Sequence, residues 1–113
     1  MKTLKFKPHL CDMILAGTKT TTWRLFDDKD LQNGDLLVLR NVETGEDVAE
    51  AKITSCTEKQ LGGVTDEDYE GHERYESTEA MIEHFRGYYG DKVDAYSPLK
   101  IIKFELLKKF AAA

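Results

Sequence analysis

"PHLCDMILAGTKTTTWRL", Pro8–Leu25, holds the change of secondary structure on which the fold turns. Pro8 suits the first turn of a helix, where a missing amide hydrogen costs nothing, and Leu10, Met13 and Ile14 follow at helical spacing. Gly17 is the predicted stop, at the position where a left-handed residue ends a helix most cheaply. Beyond it, "KTTTWRL" is rich in threonine and carries an aromatic, which favours an extended chain over a continued helix. Period two then puts Thr21 and Trp23 on one face, toward a core, and Thr20, Thr22 and Arg24 on the other, where they can look into one cleft.

Working outward, "LKFKP" (Leu4–Pro8) alternates apolar and basic residues and reads as a short half-exposed strand. Downstream, "LFDDKDLQNGD" is polar and ends in an Asn-Gly turn signal, after which "DLLVLRN" (Asp35–Asn41) is a strongly apolar strand. "VAEAKITSCT" (Val48–Thr57) breaks strict alternation, and a bulge near Ala49–Lys52 accounts for that. "LGGV" closes this strand pair. An acidic, partly helical insertion follows. In "STEAMIEHFRGYYG", Ser77 is the predicted cap, Ala80, Met81, His84 and Phe85 the buried stripe, and Gly87 or Gly90 the end. "LKIIKFELL" (Leu99–Leu107) is the last strand, and the tail 111–113 is expected to fray. These elements predict one α+β, mainly β domain over residues 1–110. About five to six strands close into a small barrel, flanked by two or more helices.

A chain of 113 residues is long enough for one core and too short for two. No apolar run approaches the roughly 18 residues of a membrane span. The opening "MKTLKFKPHL" lacks the apolar centre of a signal peptide, so a cytoplasmic location with no membrane contact is the expectation. Cys11 and Cys56 form no CxxC pair and have no histidine at zinc-ligand spacing, so neither a metal nor another cofactor is expected. The net charge of −5 argues against a protein that grips nucleic acid mainly by its phosphates. Residues 65–83 hold eight acids and one base, which leaves the remainder at +2. An acidic wall beside a cleft would repel a polyphosphate chain and not an uncharged ligand.

"ILAGTKTTTWRL" with "NGDLLVLR" and the final "KIIKFELL" resembles the ASCH family, whose members carry a Gly-x-Lys-x-x-x-x-Arg motif on a PUA-like β-barrel. Here the motif is Gly17, Lys19 and Arg24, and the resemblance covers almost the whole chain. It implies binding of RNA or a modified nucleoside in a cleft beside the motif, with a role in RNA metabolism. Some small members are amidohydrolases that remove the acetyl group of N(4)-acetylcytidine, and at least one other has been described as a ribonuclease. In the amidohydrolase branch the motif lysine is the proton acceptor, a threonine three residues on the nucleophile, and a downstream glutamate the proton donor. The first two fall on Lys19 and Thr22. Aligning the shared Thr-Glu at Thr78 and Glu79 puts the third at Glu73, whereas a gap-free count puts it at His72. Glu73 is favoured because the chemistry wants a carboxyl group.

A lysine base needs a lowered pKa, from burial or from Arg24, and a glutamic acid donor needs a raised one, which neighbouring carboxylates favour. Gly17, Thr20, Arg24, Tyr69, His72 and Tyr75 are the further ligand-binding candidates, the tyrosines as stacking platforms in a loop over the barrel mouth. Trp23 reads as core, His9 as a helix-start residue and His84 as a helix-face residue. A third class, a protein-interaction domain using the acidic face, shares the same composition. A monomer is the working expectation.

Overall fold

Two long strands carry the architecture. In a computed structural model, which describes residues 1–110, strands Asp47–Gln60 and Pro98–Lys109 pair antiparallel from Ala49 opposite Lys109 to Gln60 opposite Pro98. In chain order the elements are β1 (Lys2–Phe6), α1 (Pro8–Ala16), β2 (Thr21–Leu25), β3 (Leu36–Asn41), β4 (Asp47–Gln60), α2 (Thr78–Tyr89) and β5 (Pro98–Lys109). The tail expected to fray, 111–113, lies outside the described residues.

The five strands form one sheet in the order β1-β3-β4-β5-β2, with β1 parallel to β3 and every other pair antiparallel. Register shifts in the β4–β5 pairing fall between Glu50 and Ala51 and again between Ile53 and Ser55. The first lies where broken alternation predicted a bulge, and such irregularities bend a strand and help the sheet curl. The curled sheet is the half of a PUA-like barrel: β1 and β2 each pair on one side only. Helix α1 joins these two edges in the chain.

Two apolar clusters sit on opposite faces of β5. Ile102 and Phe104 join Leu4, Phe6, Cys11, Ile14, Leu37 and Leu39 in the first, while Leu99 and Ile101 join Trp23, Leu25, Met81 and Phe85 in the second. Burial on both faces explains why "LKIIKF" breaks strict alternation, with the adjacent Ile101 and Ile102 buried in opposite clusters. The α1 helix stops at Gly17, whose φ of 83° is left-handed, and buries Cys11 and Ile14; Leu10 and Met13 are half-buried.

Helix α2 is capped by Ser77, which accepts from the Ala80 amide, and it ends at Gly90, leaving Gly87 inside. Of its predicted stripe, Met81 and Phe85 are buried, but Ala80 and His84 are exposed. Ile82 and Tyr89 pack partly buried against the second cluster, so the inner face of the helix runs through 81, 82, 85 and 89 rather than through 80 and 84. The acidic insertion opens with a short 3-10 turn at Asp66–Tyr69 and then runs irregularly up to Ser77, as the loop read from its mixed composition, before the helix of its later half. Cys11 and Cys56 are free thiols. Among the described residues no helix is long and apolar enough to cross a membrane.

Candidate functional site

The stretch Lys19–Trp23 and the irregular stretch Glu70–Glu73 are fastened to each other. The amides of Thr20 and Thr21 both donate to the Gly71 carbonyl, at 3.0 and 3.1 Å, and the Thr21 hydroxyl donates to the Glu70 carbonyl at 2.8 Å. Gly71 has a φ of +72°, and a Cβ there would collide with Thr20 Oγ1, so the join requires glycine at this position. His72 then stacks on Trp23, with ring centroids 4.2 Å apart and planes 17° off parallel.

This join delivers Glu73 to Lys19. Lys19 Nζ donates to Glu73 Oε2 at 2.6 Å and to the Thr21 carbonyl at 2.9 Å. The lysine side chain is 1% exposed and the glutamate 30%, so the pair is dry on the lysine side and open on the other. Burial lowers the Lys19 pKa, Glu73 partly restores it, and Arg24 adds a small push downward. For Glu73, burial pushes the carboxyl up, but the hydrogen bond from Lys19 and the nearby charges outweigh it, leaving it below its ordinary value. The raised pKa expected for Glu73 is therefore not found: the carboxylates of the acidic segment are turned elsewhere, and a cation is its nearest charged neighbour. Asp68, for example, is taken by Lys59 and by the Thr65 amide.

The pair sits at the base of a cavity of about 380 Å³ in the gap between the sheet's edges β1 and β2. One wall is aromatic, from His84, Phe85, Tyr88 and Tyr89 of α2 together with Tyr75. Lys5 and Lys7 beside Arg24 supply a basic part of the lining. Arg24 Nη2 donates to the Lys5 carbonyl at 3.0 Å, bridging the two edges, and its guanidinium lies 4.8 Å from the centre of the Phe6 ring. Lys7 Nζ reaches to 5.0 Å from the Tyr88 ring centre, so the basic and aromatic parts of the lining touch. The charged lining is four cations against the single carboxylate of Glu73. The acidic wall anticipated from composition is absent from this lining, because the acidic segment turns only Glu73 inward.

His72 is neutral at pH 7. Burial first, and then the Lys19 charge, pull its pKa down to about 4. Its Nδ1 lies 2.8 Å from the Glu73 carbonyl, which can only accept, so Nδ1 carries the proton and Nε2 is left as an acceptor. Burial raises the Tyr75 phenol, which stays protonated.

Lys19, Thr22, Arg24, His72, Glu73 and Tyr75 thus come together around one cavity, and Gly17, Thr20 and Tyr69 do not line it. Gly17 is the helix stop. Thr20 precedes the first residue of β2, so strand parity does not reach it, and its side chain packs against Gly71 instead. Tyr69 packs its ring against Trp23 at 4.9 Å. Trp23 is core, as its parity implied, and a cavity residue too; its Nε1 is buried without a partner among the described residues. Tyr75 of the aromatic wall was among the stacking candidates, whereas the part that α2 supplies was not. Its signal was the i, i+4 pairing of His84 with Tyr88 and of Phe85 with Tyr89, visible in "HFRGYY". Among the described residues no group of three His, Cys, Asp or Glu side chains is arranged to hold a metal ion.

The fold is that of the ASCH domains. The chain superposes on the ASCH domain from Lactobacillus crispatus with a TM-score of 0.69 at 20% identity, over 93% of this chain and 79% of that one. It superposes on an ASCH protein from Zymomonas mobilis with a TM-score of 0.65 at 10% identity, over 91% and 65% respectively. A protein from Enterococcus faecalis assigned to DUF984 gives a TM-score of 0.74 at 15% identity, over 93% and 74%. No family model and no curated protein matches the sequence.

Proposed function

We propose that this chain is an ASCH-type domain that takes one base of single-stranded RNA, or of a modified nucleoside, into the cavity between β1 and β2, and so serves RNA metabolism. The observation that carries this reading is the lining itself: aromatic rings, basic side chains and hydrogen-bonding groups around one cavity. A base fits such a cavity by stacking, its edge meets the hydrogen-bonding groups, and the flanking phosphates meet Lys5, Lys7 and Arg24. Titration with a short single-stranded RNA at two salt concentrations tests it. Saturable binding with a shallow salt slope is expected, and no saturable binding at low salt refutes the reading.

A second reading, deacetylation of N(4)-acetylcytidine, is favoured by one observation: the buried Lys19 shares this cavity with Thr22, itself 4% exposed, and with Glu73. As an ion pair, Lys19 and Glu73 offer neither a base nor an acid. Moving one proton across their 2.6 Å contact gives both, a free amine and a carboxylic acid. The amine then accepts the Thr22 proton as the hydroxyl attacks the acetyl carbon, and the acid protonates the departing cytosine nitrogen. Water hydrolyses the acetyl-threonine. Release of cytidine by the purified protein, lost in Lys19→Met, is the expected result; no release by the wild type ends this reading and leaves the first standing.

A further inference from the structure

The hydrogen-bond register of β2 leaves the main chain of one residue without an occupant at the cavity. Thr20 O accepts from the Phe104 amide at 3.1 Å, and the Phe26 amide donates to Pro98 O at 3.1 Å. With the unbroken register from Thr21 opposite Lys103 to Leu25 opposite Leu99, the even-numbered residues of β2 therefore turn their main-chain groups toward β5. The odd-numbered residues turn theirs to the free edge.

Protein groups already occupy the two ends of that edge. The Thr21 amide donates to Gly71 O at 3.1 Å, and Thr21 O accepts from Lys19 Nζ at 2.9 Å. The Leu25 amide donates to the Tyr89 hydroxyl at 3.3 Å. Between them lies Trp23, whose N–H and C=O have no partner among the described residues. Trp23 lines the cavity, and the gap it faces is the one that separates β2 from β1. An unpaired main-chain pair at a buried edge is rare in folded proteins, and a ligand is one of the few things that satisfies it.

The side chain holds this pair rigidly. Trp23 is 3% exposed and clamped in the second core, with its ring stacked on His72. The N–H and C=O therefore present a fixed donor and acceptor, two residues along the same edge from the Thr21 carbonyl that Lys19 Nζ holds.

We propose that the main chain of Trp23 is the base-reading element of this site: its N–H and C=O take the edge of a planar heterocycle that carries a hydrogen-bond acceptor next to a donor. The inference rests on the nucleotide-binding reading above and adds the chemistry of the edge that is read. Cytosine, with its ring nitrogen beside an exocyclic amino group, has that pattern. A base whose amino group has been fully alkylated does not. Reading by main chain also means that the specificity is set by the strand register rather than by any replaceable side chain.

Amide NMR on the intact protein tests it, with cytidine 5′-monophosphate and its N(4),N(4)-dimethyl analogue as probes. On saturation with cytidine 5′-monophosphate, exchange of the Trp23 amide is expected to slow by about tenfold or more, while the Thr22 and Arg24 amides, already in the ladder with β5, stay unchanged. The dimethyl analogue, which keeps the phosphate and the ring, is expected to bind about tenfold more weakly. Binding of cytidine 5′-monophosphate without a change at the Trp23 amide, or equal affinity for the analogue, overturns this inference alone. No saturable binding of either probe overturns this inference, while the titration with single-stranded RNA decides the nucleotide-binding reading separately.

Discussion

Replacing His72 by phenylalanine tests the electrostatics of the site without emptying it. His72 titrates near 6.5 when unperturbed and at about 4 in the folded chain, chiefly because it is buried and then because Lys19 is near. Between those values the unfolded chain holds a proton that the folded chain refuses, so stability rises with pH across this window. The contribution is complete above pH 6.5 and is lost as the pH falls toward 4. At 1.36 kcal/mol per pH unit the whole effect is about 3 kcal/mol. The side chain is only 4% exposed, so solvent screens little of it. Phenylalanine keeps a ring against Trp23 and gives up the hydrogen bond to the Glu73 carbonyl, a pH-independent loss of about 1 kcal/mol. Urea unfolding of wild type and His72→Phe in steps from pH 7.5 to pH 4 measures the difference. The wild type is expected to lose about 3 kcal/mol more than the variant over that range. His84 also has a lowered pKa, but it is present in both proteins and cancels. Curves that stay parallel would refute the placement of a buried neutral imidazole beside Lys19.

The Lys19–Glu73 pair should break asymmetrically, because one partner is dry and the other reaches water. Glu73→Gln strands a buried ammonium and is expected to cost about 3 kcal/mol at pH 7, whereas Lys19→Met leaves a carboxylate that hydrates and is expected to cost about half as much; urea unfolding reads both. Two glycine replacements separate backbone strain from collision. Gly17→Ala, with a left-handed φ and open space around it, should lower stability by about 1 kcal/mol, while Gly71→Ala meets Thr20 as well and should cost roughly 3 kcal/mol, visible as a larger drop in Tm. Lys5→Gln with Lys7→Gln should weaken binding of short single-stranded RNA at low salt and reduce its logarithmic salt slope by about 0.7 for each phosphate contact removed.

Local signals were enough for the elements. Gly17, Ser77 and Gly90 all end or begin helices as their residue types imply, and the broken alternation after Val48 marks a register shift. Parity also sorted β2 correctly, with Trp23 opposite Ile101 in one core and Thr22 opposite Ile102 on the other face. Parity failed at Thr20, one residue before the strand begins. What the sequence could not show is how 70–73 would dock. That depends on the Gly71 carbonyl receiving two amides from a strand edge some fifty residues earlier, a contact with no periodicity to betray it. The pKa of Glu73 was misjudged for the same reason. Composition counts the carboxylates in a segment, whereas the pKa answers to the one cation 2.6 Å away.

The location of the site follows from the sheet's failure to close. A five-stranded sheet ordered β1-β3-β4-β5-β2 leaves two edges, and each edge exposes main-chain donors and acceptors that invite pairing with other chains. This chain meets that liability piecemeal: Arg24 caps Lys5 O, Gly71 and Lys19 cap Thr21, and Tyr89 caps Leu25. Each capping group also belongs to, or positions, the lining of the cavity between the edges. Lys19 is thus both the plug of a strand edge and the partner of Glu73, and neither duty can be removed without disturbing the other. Had the sheet closed with β1 against β2, Trp23 would have been paired with a strand and the gap lost. The open edge is therefore the condition for the site, and the polar residues that protect it are the ones left facing whatever enters.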